Sequence, residues 1–202
     1  MKNRVQWLDS IGAKLLNNEQ QQLGASLLEL MAVVLLIAIM ASISMPLLQK
    51  QVAAREIESV ARRLIAHAQF ARQQALFLGE PIRISPHSEN TWDDGWVVSS
   101  ACTGKSIKQG CVQKTWFSQG RIGPIFFKGG GKQFTDPHTG KLGILFNAAG
   151  AAKTAQGGFV ANRLILTHSR VEGLERHLIL GSGGRWRICD PLRDAKRCHW
   201  MV

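Results

Sequence analysis

From Leu30 to Leu48 the chain runs for 19 residues without a charged side chain. As a helix, such a run matches the hydrocarbon layer of a bilayer, about 30 Å thick and crossed by about 20 apolar residues. A secretory signal core is shorter, about 7–15 residues, and ends in a small-residue cleavage site. No second stretch of this kind occurs in the 202 residues, so a multi-pass membrane protein is excluded. The flanks are polar: Lys2, Arg4 and Lys14 against Asp9 and Glu19 before the run, Lys50 and Arg55 after it. Charge asymmetry therefore does not set its orientation. Glu29 stands at the front edge of the run, where a carboxylate is either interfacial or needs a cation. If the chain were cut after Gly24, a free amino group on Ala25 would lie one helical turn from Glu29, in the same chain or a neighbouring one.

Beyond Pro46 the pattern turns amphipathic. Ala53, Ile57, Val60, Leu64, Ala68, Ala71, Ala75 and Leu78 recur at steps of three and four, while Arg55, Glu58, Arg62 and Arg72 fall largely off that stripe. Gly79 and Pro81 supply a stop. The spacing predicts one helix from about Ser26 to Leu78, bent near Pro46. Its first half is a lipid or filament anchor and its second half lays one face on a globular domain. No Gly-, Ser- or Pro-rich linker separates the two.

After Pro81, short apolar or alternating runs are split by Gly, Asn, Asp and Pro. Strands are expected at Pro81–Ser85, Gly95–Ser100, Lys114–Phe117, Ile122–Phe127, Leu142–Phe146, Phe159–Thr167, Arg176–Leu180 and Arg185–Cys189. Without intervening helical patterns they make an antiparallel sheet, and the helix packed over it gives an α+β fold. Gly129–Gly131 and Asp136-Pro137 mark a loop.

Gly24, Glu29 five residues later, the apolar run and Pro46 near its end resemble the class III signal of type IV prepilins and pseudopilins. Leu78-Gly-Glu-Pro-Ile-Arg-Ile84, Trp92-Asp-Asp-Gly-Trp96, Phe146-Asn147 and the closing Gly184-Arg-Trp-Arg-Ile-Cys189 resemble the FimT/GspH minor pilins and pseudopilins in particular. The resemblance implies a type IV pilin-like fold, a long N-terminal helix packed on an antiparallel β-sheet domain. It also implies cleavage after Gly24 by a prepilin peptidase, N-methylation of Ala25, and Glu29 registering the subunit against other pilin subunits in a filament. The segments are then a leader at 1–24, a transmembrane or filament-core helix at 25–48, its amphipathic continuation at 49–79, and a β-rich head with a basic C-terminal hairpin and tail at 80–202. The implied location is the bacterial inner membrane, single-pass with a periplasmic head, and then the pilus at the cell surface.

The four cysteines form two pairs of equal separation, Cys102 with Cys111 and Cys189 with Cys198. In an extracytoplasmic domain two local disulfides are the simplest of three connectivities. The second would pin the tail to the last strand. Zinc is the rival reading: Cys198 and His199 are adjacent, but there is no Cys-x-x-Cys and no His pair at ligand spacing. The six histidines are scattered, with core or surface roles. There is no Gly-x-Ser-x-Gly, phosphate loop or paired-carboxylate motif, and Gly181–Gly184 reads as a hairpin turn. An enzyme is not expected, nor a cofactor or metal.

The net charge of +11 speaks to partners, not to fold. Residues 121–202 hold thirteen basic against five acidic residues. In an extended last strand Arg185 and Arg187 share a face while Trp186 and Ile188 point into the core. Arg193, Lys196 and Arg197 follow, and Lys128, Lys132 and Lys153 lie in preceding loops. Planar guanidiniums suit phosphate oxygens, and phosphate contacts carry little sequence information. An exposed basic strand that aids solubility or meets acidic filament neighbours explains the same charge. FimT-type minor pilins are implicated in DNA uptake through a closing Gly-Arg-x-Arg, which Gly184–Arg187 resembles. The expected function is therefore non-specific DNA binding during natural transformation. The alternative is a structural GspH-like pseudopilin or tip pilin that primes assembly without DNA.

Overall fold

The computed structural model describes residues 26–102, 112–129, 134–152, 158, 162–181 and 184–199. Helix α1 spans Leu27–Leu78 with Pro46 inside it. The chain divides into two compact units, Met1–Leu47 and Leu48–Val202. In the first, α1 is long and apolar enough to cross a membrane, with a mean hydropathy of 2.5 over its best 18 residues. Its hydroxyls are satisfied locally: Ser42 Oγ donates to the Ile39 carbonyl and Ser44 Oγ to that of Met40.

In the second unit the apolar stripe is buried as far as Ala75, while Leu78, its last expected member, is exposed at the helix end. Ala53, Ile57, Val60, Ala61, Leu64, Ala68, Ala71 and Ala75 are all buried. Eight strands follow: β1 Ile82–Pro86, β2 Gly95–Ser100, β3 Thr115–Gly120, β4 Ile125–Gly129, β5 Ile144–Phe146, β6 Asn162–His168, β7 Glu175–Leu180 and β8 Trp186–Cys189. They divide into two four-stranded antiparallel sheets, ordered β3-β2-β1-β5 and β4-β6-β7-β8. The helix stripe shares one core with Ile82, Ile84, Trp96 and Val98 of the first sheet and Ile125, Leu164, Leu166, Leu178 and Leu180 of the second. Small side chains at Ala68, Ala71 and Ala75 let the helix backbone approach the strands closely. Polar ties fix the helix: Trp96 Nε1 donates to His67 Nδ1 at 2.9 Å, and buried His168 meets Glu56 at 2.9 Å.

The expected strands all occur, with shifted edges. The third runs on to Gly120, and the fourth begins at Ile125, after a turn in which the Ile125 N–H bonds to the Ile122 carbonyl. Residues 159–161, expected to open the sixth, lie outside the described residues. One element was not anticipated: α2, Ala195–His199. A single helical turn carries no periodicity to read. It forms because the Asp190 carboxylate accepts the Leu192 N–H, the Asp190 carbonyl accepts those of Arg193 and Asp194, and the Asp194 carbonyl accepts that of Cys198.

Candidate nucleic-acid interface

Alternation along the second sheet sorts its side chains. Leu164, Leu166, Leu178, Leu180, Trp186 and Ile188 belong to the core. Their neighbours in sequence therefore face outward. The register sets these outward residues in rows across the strands. Lys128 aligns with Ile165, His177 and Cys189 in one row, and Arg163 with Ile179 and Arg187 in the next. Phe126, Thr167 and Glu175 make a third, with the Arg121 guanidinium 5.9 Å from the Phe126 ring centre.

The tail folds onto this outer face. Cys189 and Cys198 are joined in a disulfide with Cα atoms 5.7 Å apart. With Ile179 they form a small buried cluster of their own, separate from the main core. Helix α2 thus lies against the face that carries Arg187, Arg163 and Lys128, and exposed Lys196 rides on it. Lys128 is 3.7 Å from Glu175, the one acidic side chain among the outward strand residues described. Arg187 is half-buried and has an interaction of its own, as does Arg163.

The hairpin joining β7 and β8 is braced from the helix. Gly184 has φ +73°, and the Arg72 guanidinium donates to its carbonyl at 3.4 Å. A side chain at this position would meet that guanidinium at 3.1 Å. The Gly of Gly184-Arg185 thus has a structural cause, a left-handed turn under a packed cation. The Arg185 carbonyl accepts the Gly181 N–H, closing the turn, and the Arg185 side chain is exposed.

Arg193 sits elsewhere. It lines a cleft of about 680 Å³ between α1 and the end of β8, with Glu58, Arg62, Arg176, Trp186 and Asp190. Arg176 is the hub there, 3.0 Å from Asp190 and 3.7 Å from Glu58. Its guanidinium ties the helix, β7 and the start of the tail together. Arg193 itself is exposed, its Nε 3.9 Å from Asp190. The register therefore sets Lys128 and Arg187 on one sheet face, Arg185 is exposed at the hairpin and Lys196 on α2, and Arg193 lies at the cleft. Arg197 belongs to α2, but its side chain, like Lys132, Lys153 and the processing residues Gly24 and Ala25, lies outside the described residues. Glu29 is exposed in the first turn of α1. Cys102 is disulfide-bonded, and its expected partner Cys111 is also outside the described set.

Three residues of this region escaped the sequence reading: Arg72, Arg163 and His177. Arg163 could have been found, because alternation in β6 puts it opposite Leu164. His177 is buried, with neither ring nitrogen hydrogen-bonded. Burial first, and then the Arg163 guanidinium, push its pKa below the usual value, while Glu175 opposes them. Its ring nitrogen and both disulfide sulfurs lie within 4.8 Å of one another, but disulfide sulfurs are not thiolate ligands.

A family model described as type II transport protein GspH matches residues 60–189. In fold the chain is similar to the type IV minor pilin FimU of Pseudomonas aeruginosa, at 16% identity and a TM-score of 0.51, over 69% of this chain and 92% of that one. It is also similar to the minor pseudopilin EpsH of the Vibrio cholerae type II secretion system, at 10% identity and a TM-score of 0.45, over 67% and 98%. No curated protein matches it in sequence.

Proposed function

The chain belongs to the GspH family of minor type IV pilins and pseudopilins, structural proteins rather than enzymes, and we propose that within it this member binds DNA without sequence preference during natural transformation. The observation that carries the reading is the disulfide-pinned tail. It seats α2, which carries exposed Lys196, against the sheet face that holds Lys128, Arg163 and Arg187, and Arg185 is exposed at the hairpin. Cations set along a rigid sheet suit the regular phosphates of a duplex and read none of its bases. Arg197, Lys132 and Lys153, whose side chains lie outside the described residues, belong to the proposed contact set by charge alone, and Arg193 adds charge at the neighbouring cleft.

Pilin-family membership fits a membrane-anchored subunit whose partners are other pilin subunits. In this proposal a prepilin peptidase cuts after Gly24 and methylates Ala25, Glu29 neutralises the new terminus, and the head enters the periplasm and then the pilus surface. Mass spectrometry of the mature N-terminus tests that step; a protein retaining residues 1–24 refutes it.

The DNA reading is tested with the full chain in neutral-detergent micelles by a duplex titration across a salt series. If Arg185, Arg187, Lys196, Arg197, Lys128 and Arg163 each neutralise one phosphate, the slope of log K against log salt is about −5.4. Arg185→Gln with Arg187→Gln should bring it to about −3.6. An unchanged slope and affinity in that variant would show the assigned face to be wrong. The family match itself favours a second reading, a structural pseudopilin or tip subunit that primes assembly. Lost pili or secretion on deletion, with no DNA binding by the purified protein, selects it.

A further inference from the structure

We propose that the cleft between α1 and β8 is a docking slot for an extended peptide strand of another pilin subunit, which adds to the free edge of β8 and sets an acidic residue at the Asp190 end. This surface is separate from the sheet face assigned to DNA and does not depend on that reading.

β8 is the last strand of its sheet and pairs on one side only, with β7. The Gly181 N–H donates to the Arg185 carbonyl, which fixes the alternation of this ladder. Arg185, Arg187 and Cys189 turn their backbone groups to β7, while Trp186 and Ile188 turn theirs away from it. Among the described residues none hydrogen-bonds these two N–H and two C=O groups. Such an edge is a template for a further strand, whose main chain supplies affinity and whose alternate side chains supply specificity.

The slot beside that edge is as long as the strand. At one end Arg176 ties Glu58 of α1 to Asp190, at 3.7 and 3.0 Å, and at the other Arg72 of α1 meets the Gly184 carbonyl at 3.4 Å. From Glu58 to Arg72 the helix advances about 21 Å. From Gly184 to Asp190 the strand covers about 20 Å, the length of about six extended residues. The volume of about 680 Å³ lies in the range of pockets that enclose a ligand. Ile65 and Ala66 line it on the helix side, Trp186 and Ile188 on the other, so alternate side chains of an added strand have apolar surface to cover.

The Asp190 end is cationic. Arg55, Arg62, Arg176 and Arg193 line it and its continuation along α1, against Glu58, Asp190 and Asp194. Arg176 holds both Glu58 and Asp190, so exposed Arg193 comes no nearer than 3.9 Å to Asp190, and Arg55 is exposed beside it. An acidic residue on the incoming strand complements both. A second copy fits less well. Pairing β8 with itself about Arg187 or about Trp186 sets Arg187 directly opposite Arg187 or Arg185, where like charges repel.

The probe is an acetylated, amidated hexapeptide of alternating valine and threonine ending in glutamate, titrated into the full chain in neutral-detergent micelles. The Trp186 and Ile188 amide resonances should shift and their exchange should slow. N-methylation at alternate peptide residues blocks one peptide edge at a time. One methylated set should weaken binding about tenfold or more and the other should leave it unchanged. Ala66→Trp, at an exposed helix position, fills the slot and should abolish binding at an unchanged melting midpoint. Arg193→Ala should weaken the glutamate peptide by up to about fivefold and its glutamine counterpart not at all. In producing cells a photo-crosslinking residue at Gln69 should join this chain to another pilin subunit. No shift at about 1 mM peptide overturns the proposal. Equal weakening by both methylated sets also overturns it, since binding then involves no strand pairing. Crosslinking to a copy of this chain, to a protein outside the filament or to nothing overturns the assigned occupant. A duplex that shifts the two amides where the peptide does not gives the cleft to DNA. Failure of the peptide leaves the DNA reading standing, because that reading is judged by the salt slope of the Arg185 and Arg187 variant.

Discussion

Removing the Cys189–Cys198 disulfide tests the feature on which the candidate interface is built. The bridge closes a loop with a sequence separation of nine. Chain-entropy arguments assign such a loop about 2.7 kcal/mol, chiefly through the unfolded state. The sulfurs also cover Ile179, which with them makes a buried cluster of three among the described residues. In a head of roughly 150 residues one kcal/mol moves the midpoint by about 2–4 °C, giving a fall of about 5–10 °C for Cys189→Ala with Cys198→Ala. Substitution is preferable to a reductant because Cys102 is also disulfide-bonded. Tryptophan fluorescence reports the transition, since Trp92 and Trp96 are buried in the main core. The same variant releases Lys196 and the rest of α2 from the sheet face, so the salt slope of DNA binding should lose about one to two phosphates' worth, roughly 0.9 each. A midpoint that moves by less than about 2 °C contradicts the pinned tail, the entropic loss alone being larger. A lowered midpoint with an unchanged salt slope leaves the tail pinned and removes it from the interface.

Two further outcomes follow from the packing. Gly184→Ala should destabilise by about 1–2 kcal/mol, since it places a side chain at φ +73° and 3.1 Å from Arg72. In an Arg72→Ala background the same change should cost less, and a melting double-mutant cycle with no coupling would show that the two do not press on each other. His67 has its pKa lowered from 6.5, by burial and then by Arg63, while its Nδ1 accepts the Trp96 indole N–H. The unfolded chain then binds the proton more readily than the fold does. Stability from this site is full above about pH 6.5 and is lost as pH falls through the lowered value. The melting midpoint should drop on acidification, less so in His67→Gln; an equal drop in both would remove His67 as the cause.

The fold was legible because each element carries its own period. Ala53 to Ala75 repeat every three or four residues, and all the described members of the stripe up to Ala75 are buried. Leu78, which the stripe also included, is exposed at the helix end. Strands such as Asn162–His168 alternate cleanly. The division into two sheets was not legible, because alternation states which face a residue occupies and not which strand lies beside it. That β5 pairs with β1 while β4 pairs with β6 is set by long-range packing.

The candidate interface was half-legible for the same reason. Arg185 and Arg187 could be read from β8 alone, and the Cys189–Cys198 spacing pointed to the pinned tail. Their company could not be read, since Arg163 and Lys128 reach that face only through the register of β6 and β4. Counting charge along the sequence joined Arg193 to Lys196, three residues apart. The Asp190 turn separates them, aiming Arg193 at the helix cleft and α2 at the sheet. It follows that charge density along this tail is a poor guide to its chemistry. Neutralising Arg193 and neutralising Lys196 remove the same charge from the chain, yet only the second should lower the salt slope of DNA binding by a full contact, about 0.9. Equal losses from the two would mean that DNA reads the tail as a flexible polycation and that the sheet face is incidental.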